Sequence, residues 1–248
     1  MNMYYEIFDL LNRSFFIFLY SLLGGLIPAL FWLWFWMHED NKHREPRKII
    51  LLVFLFGMLG VFVSFFFQKT IDLYFQPFMQ YIDIQHHSIL NLISVIIEEF
   101  VKYFAAYIIF FRTKLFNEPI DAFIYLMTAA IGFTAMENSL YLIQPLVNGQ
   151  ILDVIVNSNI RFIGASVLHV ASSGLLALFI GFSFCKTPFV KELYVWFGLI
   201  IAIILHWIFN LVLIKSGNSM IILFSSVWVI VIFLIISLEK IKVIKCDV

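Results

Sequence analysis

Ionisable side chains are what this 248-residue sequence has least of: Asp, Glu, Lys and Arg together make up 13% of it, against roughly a quarter in soluble domains. So few charges cannot dress a surface for water, which excludes an ordinary soluble domain. Cysteine is scarcer still. Cys185 and Cys246 are the only two, and their spacing makes neither a zinc motif nor a disulfide framework, so both are read as free thiols. No excess of either sign exists, because sixteen acidic residues balance sixteen basic ones. A net charge of zero removes the electrostatic case for nucleic acid as a partner. Internal repeats and low-complexity segments are absent too.

What fills the sequence is apolar: 62% of residues are hydrophobic, with thirty Phe and ten Tyr. That many rings would leave unmanageable apolar surface in water, so the chain belongs in a lipid bilayer. A run of about 18 apolar residues can cross about 30 Å of hydrocarbon as a helix. Seven such runs are present, at residues 14–37, 49–67, 89–111, 120–143, 162–184, 193–214 and 220–238. The expected fold class is all-α: a polytopic transmembrane bundle of about seven spans in a multi-pass cell-membrane protein. It forms a single domain over residues 1–248, with a motif-bearing core at about 89–214. The first span is too long for a signal-peptide core and is read as uncleaved. Residues 70–88 read as an interfacial segment with its aromatic side toward lipid, and 144–159 as an irregular outer loop marked by Pro145, Asn148 and Gly149.

Basic residues orient the bundle. One side collects Lys42, Arg44, Arg47, Lys48, Arg112, Lys114, Lys186, Lys191, Lys240, Lys242 and Lys245, while the other has only Arg13, Lys69, Arg161 and Lys215. The N-terminus is therefore expected outside and the C-terminus in the cytoplasm, which places both cysteines toward a reducing compartment.

The few ionisable residues inside the spans stand out, since each costs roughly 2.5–3.5 kcal/mol near a helix centre and such residues usually mark function. Span three holds Glu98, Glu99 and Lys102; span four, Glu137 beside Asn138; span five, His169 with Ser172 and Ser173; span six, His206 and Asn210. Counted from the outer ends of their spans, Glu98, Glu137, His169 and His206 all lie about 9–14 Å deep at about 1.5 Å per residue. One layer is implied, a cavity open toward the outside. Glu98 and Glu99 lie four and three residues before Lys102, so both can reach its ammonium. Phe133, Glu137 and Tyr141 share one helix face, as do His206 and Asn210. Such a set suits hydrolysis: one carboxylate takes a proton from water, while two imidazoles and another carboxylate, Glu137 with His169 and His206, hold either a zinc ion or a developing oxyanion.

At these residues the sequence resembles the PrsW family of intramembrane proteases, which is similar in turn to the CAAX prenyl endopeptidases and bacteriocin-processing enzymes. The resemblance runs from about Pro28 to Asn210. It rests on Trp32, Trp34, Asp40 and Glu45-Pro46 after the first span; on Glu98-Glu99-Phe100-Val101-Lys102, which fits an EExxK motif; on Asp121, Tyr125, Gly132, Phe133, Glu137, Asn138 and Tyr141; on His169 after Arg161; and on His206 followed by Asn210. Glu137 stands where the CAAX branch carries His, which favours the PrsW branch. The resemblance implies a membrane peptidase acting on a membrane-protein substrate near the extracytoplasmic side. In a bacterial example that cut is the first in a membrane-bound anti-sigma factor. A zinc ion and a metal-free, glutamate-activated water both stay open, as does which glutamate is the base.

Blander readings cover the rest. Arg161 is read as an interfacial anchor, and Ser172 and Ser173 as small residues for close packing. His38, Asp40, His43 and Glu45 are read as a solvated cytoplasmic face, and Trp32, Trp34 and Trp36 as lipid-facing anchors. Adjacent His86 and His87 are assigned no metal. Two other functions compete with the peptidase: a proton- or cation-coupled transporter, since carboxylates with histidines also relay protons, and a non-catalytic immunity or scaffold protein.

Overall fold

A computed structural model describes residues 2–39, 45–79, 86–110, 116–215 and 220–246. Among them the chain is helical, with no strand: α1 (Asn2–Glu39), α2 (Arg47–Met79), α3 (His86–Phe110), α4 (Asp121–Val147), α5 (Ile151–Ile160), α6 (Ser166–Phe182), α7 (Pro188–Lys215) and α8 (Met220–Ile241). A π-helical turn, Arg161–Ala165, joins α5 to α6 in one continuous rod, so seven rods form the bundle. Five are long and apolar enough to cross a membrane, at Arg13–His38, Arg47–Phe75, Ile151–Phe182, Pro188–Leu213 and Ile221–Ile241. The other two, α3 and α4, carry the acidic residues of the expected site.

The helix α4 is the hub. Every residue from Asp121 to Ala135 is buried, as expected of a helix ringed by others, and it packs against α1, α2, α3 and α6. Around it the outer helices turn Phe, Leu and Ile outward, for example Leu51, Phe62 and Phe66 on α2 and Ile232 and Phe233 on α8, a surface suited to acyl chains. Glycine sets the α2–α4 spacing: a Cβ on Gly132 would lie 2.1 Å from the Phe54 carbonyl oxygen, and one on Gly57 2.2 Å from that of Ala129. Only hydrogen fits at either place, so the two backbones touch.

Several expectations need correction. Residues 70–79 are not a separate segment but the continuation of α2, which runs on through Pro77 to Met79. The loop expected over 144–159 shrinks to Asn148–Gln150, where Gly149 takes a positive φ of 68°; beyond it Ile151–Ile160 is helical despite its Asp and Asn. Trp32 and Trp36 are buried, Trp36 against Phe123 at 5.2 Å, and only Trp34 faces outward. Glu45 is no solvated residue: it is buried and accepts a hydrogen bond from the Tyr125 hydroxyl. The cysteines are bonded to each other, with Cα atoms 5.3 Å apart, because the end of α6 and the chain after α8 run side by side. A separation of 61 residues gave no hint of that contact. Asp40 and His43 lie outside the described residues, as do the side chains of His86 and His87.

Candidate active site

Four helices and the π-turn deliver one polar cluster. From α3, Glu99 and Lys102 face inward one turn apart, and the ammonium donates to Glu99 Oε1 at 2.5 Å with both side chains 1% exposed. The same ammonium reaches Nδ1 of His169 on α6 at 3.0 Å. Glu99 Oε1 also accepts from His206 Nδ1 on α7 at 2.7 Å and from Ser172 Oγ at 3.1 Å. Its Oε2 has no partner among the described residues. On α4, Glu137 Oε2 accepts from His169 Nε2 at 3.0 Å and from Arg161 at 2.7 Å.

Donor chemistry sets the histidine tautomers. Lysine offers only donors and an ionised carboxylate only acceptors. His169 therefore accepts at Nδ1 and donates from Nε2–H to Glu137. His206 donates from Nδ1–H to Glu99, which leaves the lone pair on its Nε2. That nitrogen lies 3.8 Å from Glu98 Oε2, too far for a direct hydrogen bond.

These two free atoms look onto a cavity of about 350 Å³ whose walls include Glu98, Glu137, His169, His206 and Asn210. Glu99 and Lys102 lie behind the wall. All five residues expected to carry chemistry are thus brought together, with Lys102, Asn138, Asn210 and Phe133 around them. Phe133 packs beside them, its ring 5.6 Å from both the His169 ring and the Lys102 ammonium. One pairing differs from expectation: Lys102 binds Glu99, whereas Glu98 turns away and accepts from Gln68 Nε2 at 3.0 Å.

Arg161 is the main correction. Instead of anchoring at an interface it points inward from the π-turn, donating through Nε to Asn138 Oδ1 at 2.6 Å while its guanidinium covers the Tyr141 ring at 3.8 Å. A π-turn shifts the helix register, and such turns recur at functional sites. Asn138 in turn donates to Ser166 Oγ at 3.0 Å. Gln68 was missed because it falls just beyond the apolar run of its span, and Ser172 because serine in an apolar helix usually signals packing.

For a metal, the ligand atoms that come within 4.8 Å of one another belong to Glu98, His169 and His206. The sequence had grouped Glu137 with the two histidines; in the structure Glu137 is engaged by Arg161, and Glu98 completes the trio. Two imidazoles and one carboxylate match a known catalytic zinc set, and His206 has the carboxylate behind it that such ligands usually have. The three residues could hold a metal ion once His169 gives up the Nε2 proton that it shares with Glu137.

A sheath of apolar helices around carboxylates, imidazoles and an ammonium defines a multi-pass membrane protein with a chemically equipped interior. Residues 45–237 match the model of the PrsW family, described as intramembrane metalloproteases, and the chain belongs to that family. Relatives bearing the name Protease PrsW include those of Geobacillus kaustophilus (strain HTA426), 27% identical over 80% of this chain and 82% of that protein, and Clostridioides difficile (strain 630), 27% identical over 88% of each. A third, from Bacillus subtilis (strain 168), is 24% identical over 79% of this chain and 83% of its own. No solved structure matches the chain.

Proposed function

We propose that the chain is an intramembrane peptidase that hydrolyses a peptide bond in a membrane-associated protein, using the cavity between α3, α4, α6 and α7. One observation carries this reading: Glu98 Oε2 and His206 Nε2, both without a close hydrogen-bond partner among the described residues, face each other across 3.8 Å at a cavity wall. With no ion bound, Glu98 Oε2 takes the proton of the attacking water, work for which a well-placed carboxylate supplies about 10²–10⁴ in rate. Behind it, Glu99, Lys102 and Ser172 are positioning residues that hold the two imidazoles in register. Glu137 fixes His169 and Arg161. Zinc, when bound, would be held by Glu98, His169 and His206, and would supply a Lewis acid for the scissile carbonyl and a more acidic water. Glu98 is needed with or without the ion.

The eleven-to-four bias of basic residues supports seven spans with the N-terminus outside and cleavage near the extracytoplasmic face. A single-span protein of the anti-sigma-factor kind is the substrate class to try first. The test is cleavage in proteoliposomes: wild-type protein cuts a single-span substrate, and Glu98→Gln lowers the rate at least a hundredfold while the protein still inserts. Undiminished cleavage by that variant would refute the assignment.

A transporter reading has one observation behind it, the hydrogen-bonded chain Glu99–Lys102–His169–Glu137–Arg161. It predicts proton flux in vesicles without proteolysis. Among the described residues this chain continues from Glu99 Oε1 only to Ser172 and to His206, which lines the same cavity, and a network that returns to one cavity favours the peptidase.

A further inference from the structure

A second, smaller space adjoins the cavity. Val61, Ser64, Phe65 and Gln68 follow the i, i+3, i+4, i+7 pattern along one face of α2. Opposite them, Phe133, Glu137, Leu140 and Tyr141 line one face of α4, and a crevice of about 330 Å³ lies between. Gln68, Glu98, Glu137 and Tyr141 border both this crevice and the larger cavity, so one leads into the other. Its mouth is on the lipid side, where Phe65 is 61% exposed and Tyr141 57%.

Ser64 is the unusual wall residue. A helical serine can return its hydroxyl to the carbonyl four residues back, as Thr128 and Ser139 do here. Ser64 Oγ is 2% exposed at the residue level and has no hydrogen-bond partner among the described residues. Leaving a buried hydroxyl unsatisfied costs about 1–3 kcal/mol. One turn further on, Gln68 gives one N–H to Glu98 Oε1 and has a carbonyl oxygen to accept with. The two polar groups thus step toward Glu98 between apolar walls.

Resting on the peptidase reading, we propose that this crevice is a substrate subsite. It receives the residue beside the scissile bond in extended form, with an apolar side chain against Val61, Phe65 and Phe133 and its backbone hydrogen-bonded by Ser64 and Gln68. An unwound strand in lipid carries N–H and C=O groups that need partners, and these two side chains answer that need. An acyl chain would have no use for either.

The test uses wild-type protein in proteoliposomes and single-span peptides that differ only in the residue next to the mapped cut: Ala, Leu or Phe. The expected result is a preference for Leu or Phe over Ala in kcat/KM, and at least a tenfold fall in that preference for Ser64→Leu, which fills the crevice. Independently of turnover, p-benzoylphenylalanine in place of Phe65, in a Glu98→Gln background, captures the Leu peptide well above the level given by the same probe at Phe67 on the opposite face of α2. An equal loss for every peptide in Ser64→Leu, or equal capture at both positions, overturns the subsite. Capture of lipid rather than peptide at position 65 assigns the crevice to acyl chains and overturns it as well. Peptide capture at 65 without cleavage by wild type would instead overturn the peptidase reading and leave the crevice as a peptide site.

Discussion

His169 presents Nδ1 to the Lys102 ammonium at 3.0 Å, and that contact decides where the ring keeps its proton. With Nδ1 accepting, the proton sits on Nε2 and points at Glu137. Lys102 is thus a bridge between two helices, bonded to Glu99 on its own helix and to the imidazole of another. Breaking a buried ion pair by removing one partner costs about 3–5 kcal/mol. Lys102→Met should destabilise the protein by that order, and adding Glu99→Leu should recover part of the loss. Thermal unfolding of both variants in detergent checks this; a single variant as stable as wild type would show that the bridge contributes nothing.

The same proton makes a prediction about metal. An ion at His169 Nε2 requires that proton to leave, so zinc uptake should release about one proton from the Lys102–His169 pair. Calorimetry in two buffers of different ionisation enthalpy reads the number directly. Chelation should empty the site and His206→Ala should weaken it by a factor of about ten or more. Tight binding with no proton released would mean that the ion sits elsewhere.

Arg161 serves two acceptors and covers a ring, a task for a planar fork that an ammonium cannot reproduce. Arg161→Lys should therefore behave like Arg161→Gln, each lowering kcat about tenfold or more. Full rescue by lysine would reduce its role to charge alone.

The Cys185–Cys246 bond and the orientation read from basic residues make opposite demands, since cytosolic thiols are kept reduced. The expected outcome is a dithiol in intact cells and a disulfide after purification in air. A permeant maleimide should label both cysteines in cells and an impermeant one neither. Labelling from outside would invert the topology. In the oxidised protein the bond adds roughly 4 kcal/mol for a loop of this length, so reduction should lower the melting temperature.

Much of the site could be read without coordinates because lipid makes ionisable residues conspicuous. Glu98, Glu99, Glu137, His169 and His206 stand in apolar runs, and each run falls on a helix, although α1, α2 and the α5–α6 rod extend well beyond theirs, to Asn2, Met79 and Ile151. Hidden were the features that depend on which helices touch. Gln68 and Arg161 lie near the ends of apolar runs, where a polar residue is unremarkable. Trp32 and Trp36 resemble membrane anchors until α4 is packed against α1. The division of labour between Glu98 and Glu99 was equally hidden, because neighbours in sequence point about 100° apart on a helix and only the surrounding helices decide which one meets the cavity.

Gly57 and Gly132 bring α2 and α4 into backbone contact about two turns below Ser64. Helices that touch there set the width of the crevice from a distance. A methyl group on either glycine would wedge the two backbones apart, and the fit of what enters would then be altered by a residue that never meets it.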